Sequence, residues 1–131
     1  MAVRTAVVIT ASNRASAGVY ADTSGEILAA GLTKLGYELK DPIVIPDNIS
    51  QIQAAIELSL VGKVDLIVTT GGTGVSPHDV TPEATAPLIK KLLPGIPEAF
   101  RAYSRDRVPT TDLSRGLAGV TGSSLIINLP G

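Results

Sequence analysis

The densest run of chemically useful groups is Thr69-Thr70-Gly71-Gly72-Thr73-Gly74-Val75-Ser76-Pro77-His78-Asp79. Glycines and threonines directly after an apolar run can turn successive backbone N–H groups inward and set hydroxyls beside them. Such a nest suits phosphate or another anion. No Gly-Lys-Ser/Thr closes the loop, so it is not a Walker loop. Gly72-x-Gly74 is followed at the required position by Pro77, so it is not the dinucleotide fingerprint either. A tight strand-to-helix connection without any ligand fits the same string equally well.

Asp79 stands between this loop and a helix start at Thr81-Pro82, where a carboxylate also favours the helix dipole. Asp47 ends the preceding strand unit and is expected on the same edge. Two carboxylates flanking a phosphate nest could hold Mg²⁺ together with a nucleotide's phosphates. Ser12, Asn13 and Arg14 form a polar segment after the first strand. Arg14 could neutralise phosphate, or be an ordinary surface arginine. His78 reads as an exposed loop residue, Lys90-Lys91 as the wet face of a helix, and Arg101, Arg105, Arg107 and Arg115 as surface or interface pairs.

The composition removes several alternatives. The chain has 131 residues, no Cys and one His. Disulfides, zinc ribbons, iron–sulfur clusters, thiol nucleophiles and multi-His metal sites are excluded, and any metal must be a hard one held by oxygen. Lys and Arg number 11 against 12 Asp and Glu, for a net charge of -1. That balance, with no Trp and few aromatics, argues against nucleic acid as a partner. The run Ala6-Val7-Val8-Ile9 is too short for a signal peptide, and no stretch approaches the ~20 apolar residues that span a bilayer. A cytoplasmic protein with no membrane partner is the simple expectation.

The elements that must position these groups alternate. Val3 to Thr10 reads as a buried strand, followed by a loop over Ser12–Gly18. A helix starts at Thr23, with Thr23 and Glu26 at capping-box spacing, and ends before Gly36. Tyr37 to Ile45 reads as one strand that Pro42 pushes to the sheet edge. A second capping box, Ser50 and Gln53, opens a helix carrying Ile52, Ile56 and Leu60, with Gly62 at its end. Val64 to Thr70 reads as a central strand. A helix follows from about Pro82 to Leu93 with Thr81 as N-cap, then a short one around Glu98–Arg105. Leu117 to Val120 and Ser124 to Leu129 form a hairpin about Thr121-Gly122-Ser123. The fold class is α/β: a three-layer α/β/α sandwich with a mostly parallel sheet and one antiparallel strand from the C-terminal hairpin. Ligands of such folds bind beyond the carboxyl ends of the strands, here at Ser12–Gly18, Pro46-Asp47, Gly71–Asp79 and Asn128–Gly131.

Taken together, Thr70-Gly71-Gly72-Thr73-Gly74 through Asp79-Val80-Thr81-Pro82-Glu83-Ala84 resembles the signature of the MogA/MoaB molybdopterin-binding family. Ser12-Asn13-Arg14-Ala15-Ser16 with Gly18-Val19-Tyr20, then Pro46-Asp47, Leu113-Ser114-Arg115 and Leu125–Gly131 add matches along the chain. The string also occurs in gephyrin, MoeA and CinA-type proteins. The short length and the Arg14…Gly18-Val19-Tyr20 opening favour the MogA branch. The resemblance implies molybdopterin adenylyltransferase activity, with molybdopterin and ATP as substrates, Mg²⁺ as cofactor and pyrophosphate as product. It implies Asp47 and Asp79 as catalytic and Mg²⁺-holding residues. It implies Ser12, Arg14, Gly71, Gly72, Thr73, Gly74, Thr81, Ser114, Asn128, Pro130 and Gly131 as substrate and nucleotide contacts. Homotrimers, with hexamers among MoaB proteins, and hand-over to a molybdate-inserting MoeA-type protein complete the expectation.

Two departures stand out: Asn13 where relatives often carry Asp, and a single domain over 1–131 that stops where relatives continue into a closing helix. The alternative to the enzyme is a non-catalytic molybdopterin-binding module of MoaB type. A CinA-like pyrophosphatase expects a further domain.

Overall fold

The computed structural model describes residues 3–18 and 21–131, and the expected Val19-Tyr20 match lies outside the described residues. Strand β1 (Thr5–Ala11) is buried from Ala6 onward. Ala6 and Val8 pack with Leu32, Leu66 and Val68, whereas Val7, Ile9 and Ala11 pack with Ile52, Ile56, Ile67 and Ile126. Side chains alternate across a strand, so a run that is apolar at every position must be covered on both faces. This is the middle layer of the expected α/β/α sandwich. Helix α2 (Thr23–Lys34) covers one face through Leu28, Ala29 and Leu32. Helices α3 (Ile49–Val61) and α4 (Thr81–Thr85) cover the other, with Ile52, Ile56 and Ala84 fully buried.

The seven-stranded sheet runs β2 (Glu38–Leu39), β1, β4 (Leu66–Thr70), β7 (Ser124–Leu129), β6 (Ala118–Thr121), β5 (Lys91–Leu92), with β3 (Ile43–Ile45) also paired to β1. Pairing is parallel from β2 and β3 through β7. The β6 strand runs against both neighbours, so it is the one reversed strand. From β1 the chain moves outward to β2 and β3, then crosses back to place β4 on the other side of β1. That change of direction opens a crevice beyond the carboxyl ends of β1 and β4.

Several local expectations are corrected. The segment after β1 is not a loop throughout: α1 (Asn13–Ser16) forms there, with Ser12 as N-cap accepting from the Ala15 N–H. Neither expected capping box forms. Asp22 caps α2 by accepting from the Gly25 N–H, and Asn48 caps α3 by accepting from Gln51. Each true cap is a residue with a short polar side chain one or two positions before the predicted one, so its oxygen reaches the first turn instead. The single strand over Tyr37 to Ile45 is two fragments, split around Asp41-Pro42, because proline contributes no donor to a ladder.

The helix from Pro82 to Leu93 ends at Thr85 and tightens into a 3-10 turn over Ala86–Leu88. Pro87 has no N–H for the α pattern, and Lys91, in β5, pairs with Val120 of β6. Lys90-Lys91 are exposed but are not a helix face. The next helix, α5 (Gly95–Ser104), starts earlier than expected, and a 3-10 turn over Pro109–Leu113 leads into β6. The hairpin turn narrows to Gly122-Ser123, with Gly122 at φ +59. Among the described residues, no helix is long and apolar enough to cross a membrane.

Candidate active site

The carboxyl ends of β1, β4 and β7 meet at one cavity of about 610 Å³. Of the expected residues, Ser12, Asp47, Gly71, Gly72, Thr73, Gly74, Asp79, Pro130 and Gly131 line it. Arg14, Thr81, Ser114 and Asn128 do not. Arg14 is exposed on α1. The other three stand behind the wall, where their bonds hold it.

The glycine loop is built by those bonds. Gly71 and Gly72 take φ of +91 and +71 in succession, a conformation that residues with a Cβ rarely adopt. A Cβ on Gly71 would collide with the Ala11 carbonyl, and one on Gly72 with the Thr81 hydroxyl. Every carbonyl of Gly71–Gly74 is held by a protein donor. The Thr81 hydroxyl donates to Gly71 at 3.0 Å, and the Thr81 N–H donates to Gly72 at 3.1 Å. The Arg115 N–H donates to Thr73 at 2.8 Å, and Arg115 Nε to Gly74 at 2.8 Å. The first amide of the loop is also used, because Gly71 N–H donates to the Leu129 carbonyl. Among the described residues, the amides of Gly72, Thr73 and Gly74 have no protein acceptor. Carbonyls tied back and amides left over make an anion cradle.

Thr81 is therefore not the expected N-cap. Val80 occupies that position, and the Thr81 side chain is spent on the loop. Arg115, expected as a surface pair, is a clamp. It also donates to the Asp79 carbonyl and forms a two-point ion pair with Glu83, 2.6 Å at the shorter contact. Arg105 and Arg107 match the surface reading, Arg105 pairing with Asp112 and Arg107 lying over the Tyr103 ring, whereas Arg101 is half-buried and donates to the Ser114 carbonyl at 3.2 Å. Buried Asn128 donates to the hydroxyls of Thr69 and Thr85 and accepts from the Leu117 N–H, joining β4, α4 and the segment that leads into β6. The Ser114 hydroxyl reaches Thr73 Oγ1 at 3.4 Å.

The two carboxylates sit against the loop. A Cβ on Gly72 would come 3.2 Å from Asp47 Oδ1, and one on Gly74 would come 2.8 Å from Asp79 Oδ2. Asp79 is fixed by the Ser76 N–H, 2.9 Å away. His78 is exposed, as expected. Burial raises the Asp47 pKa above its ordinary 3.8. The neighbouring Asn13 backbone N–H opposes this, the negative charge of Asp79 adds to it, and His78 opposes it weakly. Asp47 Oδ1 is buried with no hydrogen-bond partner among the described residues. An orphaned buried carboxylate oxygen beside a second carboxylate fits a hard cation. Among the described residues, no group of three or more His, Cys, Asp or Glu could hold a metal. Such a cation would need oxygens from phosphates and water as well.

Sequence reasoning missed Asp22, Thr10, Ser24 and Ile27, all in the cavity wall, which Thr70 at the head of the glycine-rich run also lines. Thr10 is next to last in its strand and Thr70 is last. Their place at the last pair of the β1–β4 register, Thr10 opposite Thr70, puts both at the crevice.

Residues 7–131 match the family described as a "probable molybdopterin binding domain". The chain is 43% identical over 129 residues to the "Molybdopterin adenylyltransferase" of Helicobacter pylori strain 26695, covering 95% of this chain and 72% of that protein. A solved MogA structure superposes with a TM-score of 0.94 at 43% identity, covering 98% of this chain and 84% of its own. The tungsten cofactor synthesizing protein MoaB from Pyrococcus furiosus superposes with a TM-score of 0.90 at 32% identity, covering 100% and 84%.

Proposed function

The chain belongs to this molybdopterin-binding family, and on that premise we propose that it is a molybdopterin adenylyltransferase of the MogA kind acting in molybdenum cofactor biosynthesis. The observation that carries the reading is the loop whose carbonyls are all anchored outward while three amides face no protein acceptor among the described residues, beside two carboxylates. A site that joins two polyanions needs that combination.

The reaction transfers the adenylyl group of ATP to the terminal phosphate of molybdopterin. A phosphate oxygen forms the new bond to the α-phosphorus, the bond from that phosphorus to the bridging oxygen of the β-phosphate breaks, and pyrophosphate leaves. A phosphate monoester has its second pKa near ~6 and is mostly dianionic at neutral pH. No general base is required, and among the described residues the wall carries no His or Cys to serve as one. What the chain must supply is position and charge neutralisation. The amides of Gly72, Thr73 and Gly74 bind phosphate oxygens, and the anchored carbonyls keep their own negative ends away. Thr81 and Arg115 hold the loop in that state. Asp47 and Asp79 would hold Mg²⁺, which offsets the repulsion between the two substrates when bound. The Asp47 oxygen without a partner favours this assignment. Arg14, exposed near the α1 end of the crevice, can meet phosphate as the substrates arrive. A homotrimer, cytoplasmic placement and transfer of the product to a MoeA-type protein belong to the same proposal.

The test is pyrophosphate release from Mg-ATP with and without molybdopterin. Release that requires molybdopterin is expected. Pterin binding without release would replace the enzyme by a binding module, and release from nucleotide alone would replace it by a pyrophosphatase.

A further inference from the structure

Asp22 is a third carboxylate in the cavity wall, and adenylyl transfer as derived above does not use it. It is firmly held. Its Oδ2 accepts from the Thr10 hydroxyl at 2.8 Å and its Oδ1 from the Gly25 N–H at 3.1 Å. Gly25 has no side chain where one would collide with this carboxylate. Each carboxylate oxygen offers two acceptor positions. One protein donor on each leaves both oxygens able to accept again, side by side. The same stretch of wall carries Ala21 and Ile27, and Ile27 is 67% exposed. Exposed apolar surface beside a rigid pair of acceptors is a place for the face and edge of a flat ring.

Two adjacent acceptors match two adjacent N–H donors, as a carboxylate matches a guanidinium fork. A pterin carries that pair on its pyrimidine ring, the ring N–H and the neighbouring amino group. Adenine does not, because its amino group stands beside ring nitrogens that accept. A carboxylate facing adenine would set one of its oxygens against a lone pair. We propose that Asp22 binds the paired N–H donors of the pterin, with Ile27 and Ala21 against the ring, and so assigns this part of the cavity to the pterin rather than to the adenine of ATP. The proposal rests on the adenylyltransferase reading.

The test is Asp22→Asn. Asparagine is as good an N-cap as aspartate, and Thr10 can accept from its amide as readily as it donates to the acid. The ring then meets one acceptor and one donor in place of two acceptors. Equilibrium binding of molybdopterin and of ATP is measured separately on wild type and variant. The expected result is molybdopterin binding at least about tenfold weaker, the loss of one charge-assisted bond, with ATP binding within about twofold of wild type. Equal molybdopterin binding in both proteins overturns the inference and leaves the adenylyltransferase reading standing. Equal weakening of both ligands also overturns it, since Asp22 would then only support the wall. A wild type that binds no molybdopterin overturns the adenylyltransferase reading and this inference with it.

Discussion

Arg115 connects the loop, the Asp79 backbone and Glu83, and replacing it separates the loop's support from the ion pair. The ion pair is half exposed, with 38% of the Arg115 and 48% of the Glu83 side chain accessible. Such pairs contribute about 0.2–1 kcal/mol. The bonds from Nε to Gly74 and from Nη2 to the Asp79 carbonyl are 2.8 and 2.9 Å long and only partly buried. Charge-assisted bonds stabilise by about 1.5–3 kcal/mol when buried. Water can replace the lost donor here, so about 1 kcal/mol each is the sounder figure. Arg115→Ala should therefore cost about 2–3 kcal/mol and Glu83→Gln less than about 1 kcal/mol. Arg115→Lys should fall between, because an ammonium lacks the planar fork that serves a carbonyl and a carboxylate together.

Urea unfolding at pH 7 reads the stability, and molybdopterin-dependent pyrophosphate release reads the loop. Both arginine variants should lose activity while still folded; Glu83→Gln should keep most of it. A Glu83→Gln protein as damaged as Arg115→Ala, or an Arg115→Lys protein as active as wild type, would refute the clamp. The pH dependence adds a check. The Arg115 hydrogen bond holds the Glu83 carboxyl below its ordinary 4.5. Stability from a depressed carboxyl is present above the unfolded value and is lost as pH falls through the folded one. The gap between wild type and Glu83→Gln should be constant from neutral pH down to about 4.5 and close below it.

Asp47 has the opposite sign. Its folded pKa lies above 3.8, so stability falls as pH rises through the interval between the two values. Asp47→Asn should be more stable than wild type at pH 7, on the order of 1 kcal/mol, with the difference shrinking as pH approaches 3.8 and with transfer abolished; an unaltered urea midpoint at pH 7 would reject this. Asp79→Asn keeps the acceptor for Ser76 N–H, so its midpoint should move by less than about 0.5 kcal/mol while turnover drops by about 100-fold or more. Unchanged turnover removes Asp79 from the chemistry. Gly72→Ala must bear both a φ of +71 and the collision with Thr81, whereas Gly18→Ala bears a φ of +75 with no described residue within 4 Å. The first should cost well over the roughly 1–2 kcal/mol of left-handed strain that the second meets, and equal midpoints for the two would refute the close approach.

Strands buried on both faces were legible because their apolar runs are continuous, as in Ala6–Ile9 and Leu66–Val68. The crevice followed from strand order and the glycines. What stayed hidden depended on contacts far apart in sequence. Arg115 looks like any charged residue until it is seen under Gly74 and Asp79. Asp22 carries no motif, and its capping of α2 was obscured by Thr23 and Glu26 at a better-known spacing. Pro87 lay in the sequence as a warning against a helix to Leu93, but the apolar spacing around it pointed the other way. The strand-edge pattern and the family resemblance both pointed to Asp47 and Asp79; that one buried Asp47 oxygen has no partner among the described residues needed the folded chain.

The pairing of β7 with β4 also sets an order on synthesis. β1, β2, β3 and β4 leave the ribosome with the glycine loop and both aspartates. The loop then lacks its backing: Leu129 for the Gly71 amide, Pro130 for the Thr70 hydroxyl, and Asn128 for Thr69 and Thr85. These arrive only with residues 124–130, which must slot in beside a strand made much earlier. Closing so long a span carries its entropy cost before any bond repays it. A nascent chain thus holds Asp47, Asp79 and the glycine loop before the contacts that back that loop from β7 exist. A premature stop ahead of Ser124 would leave a product with Asp47 and Asp79 intact and its glycine loop without the backing of β7.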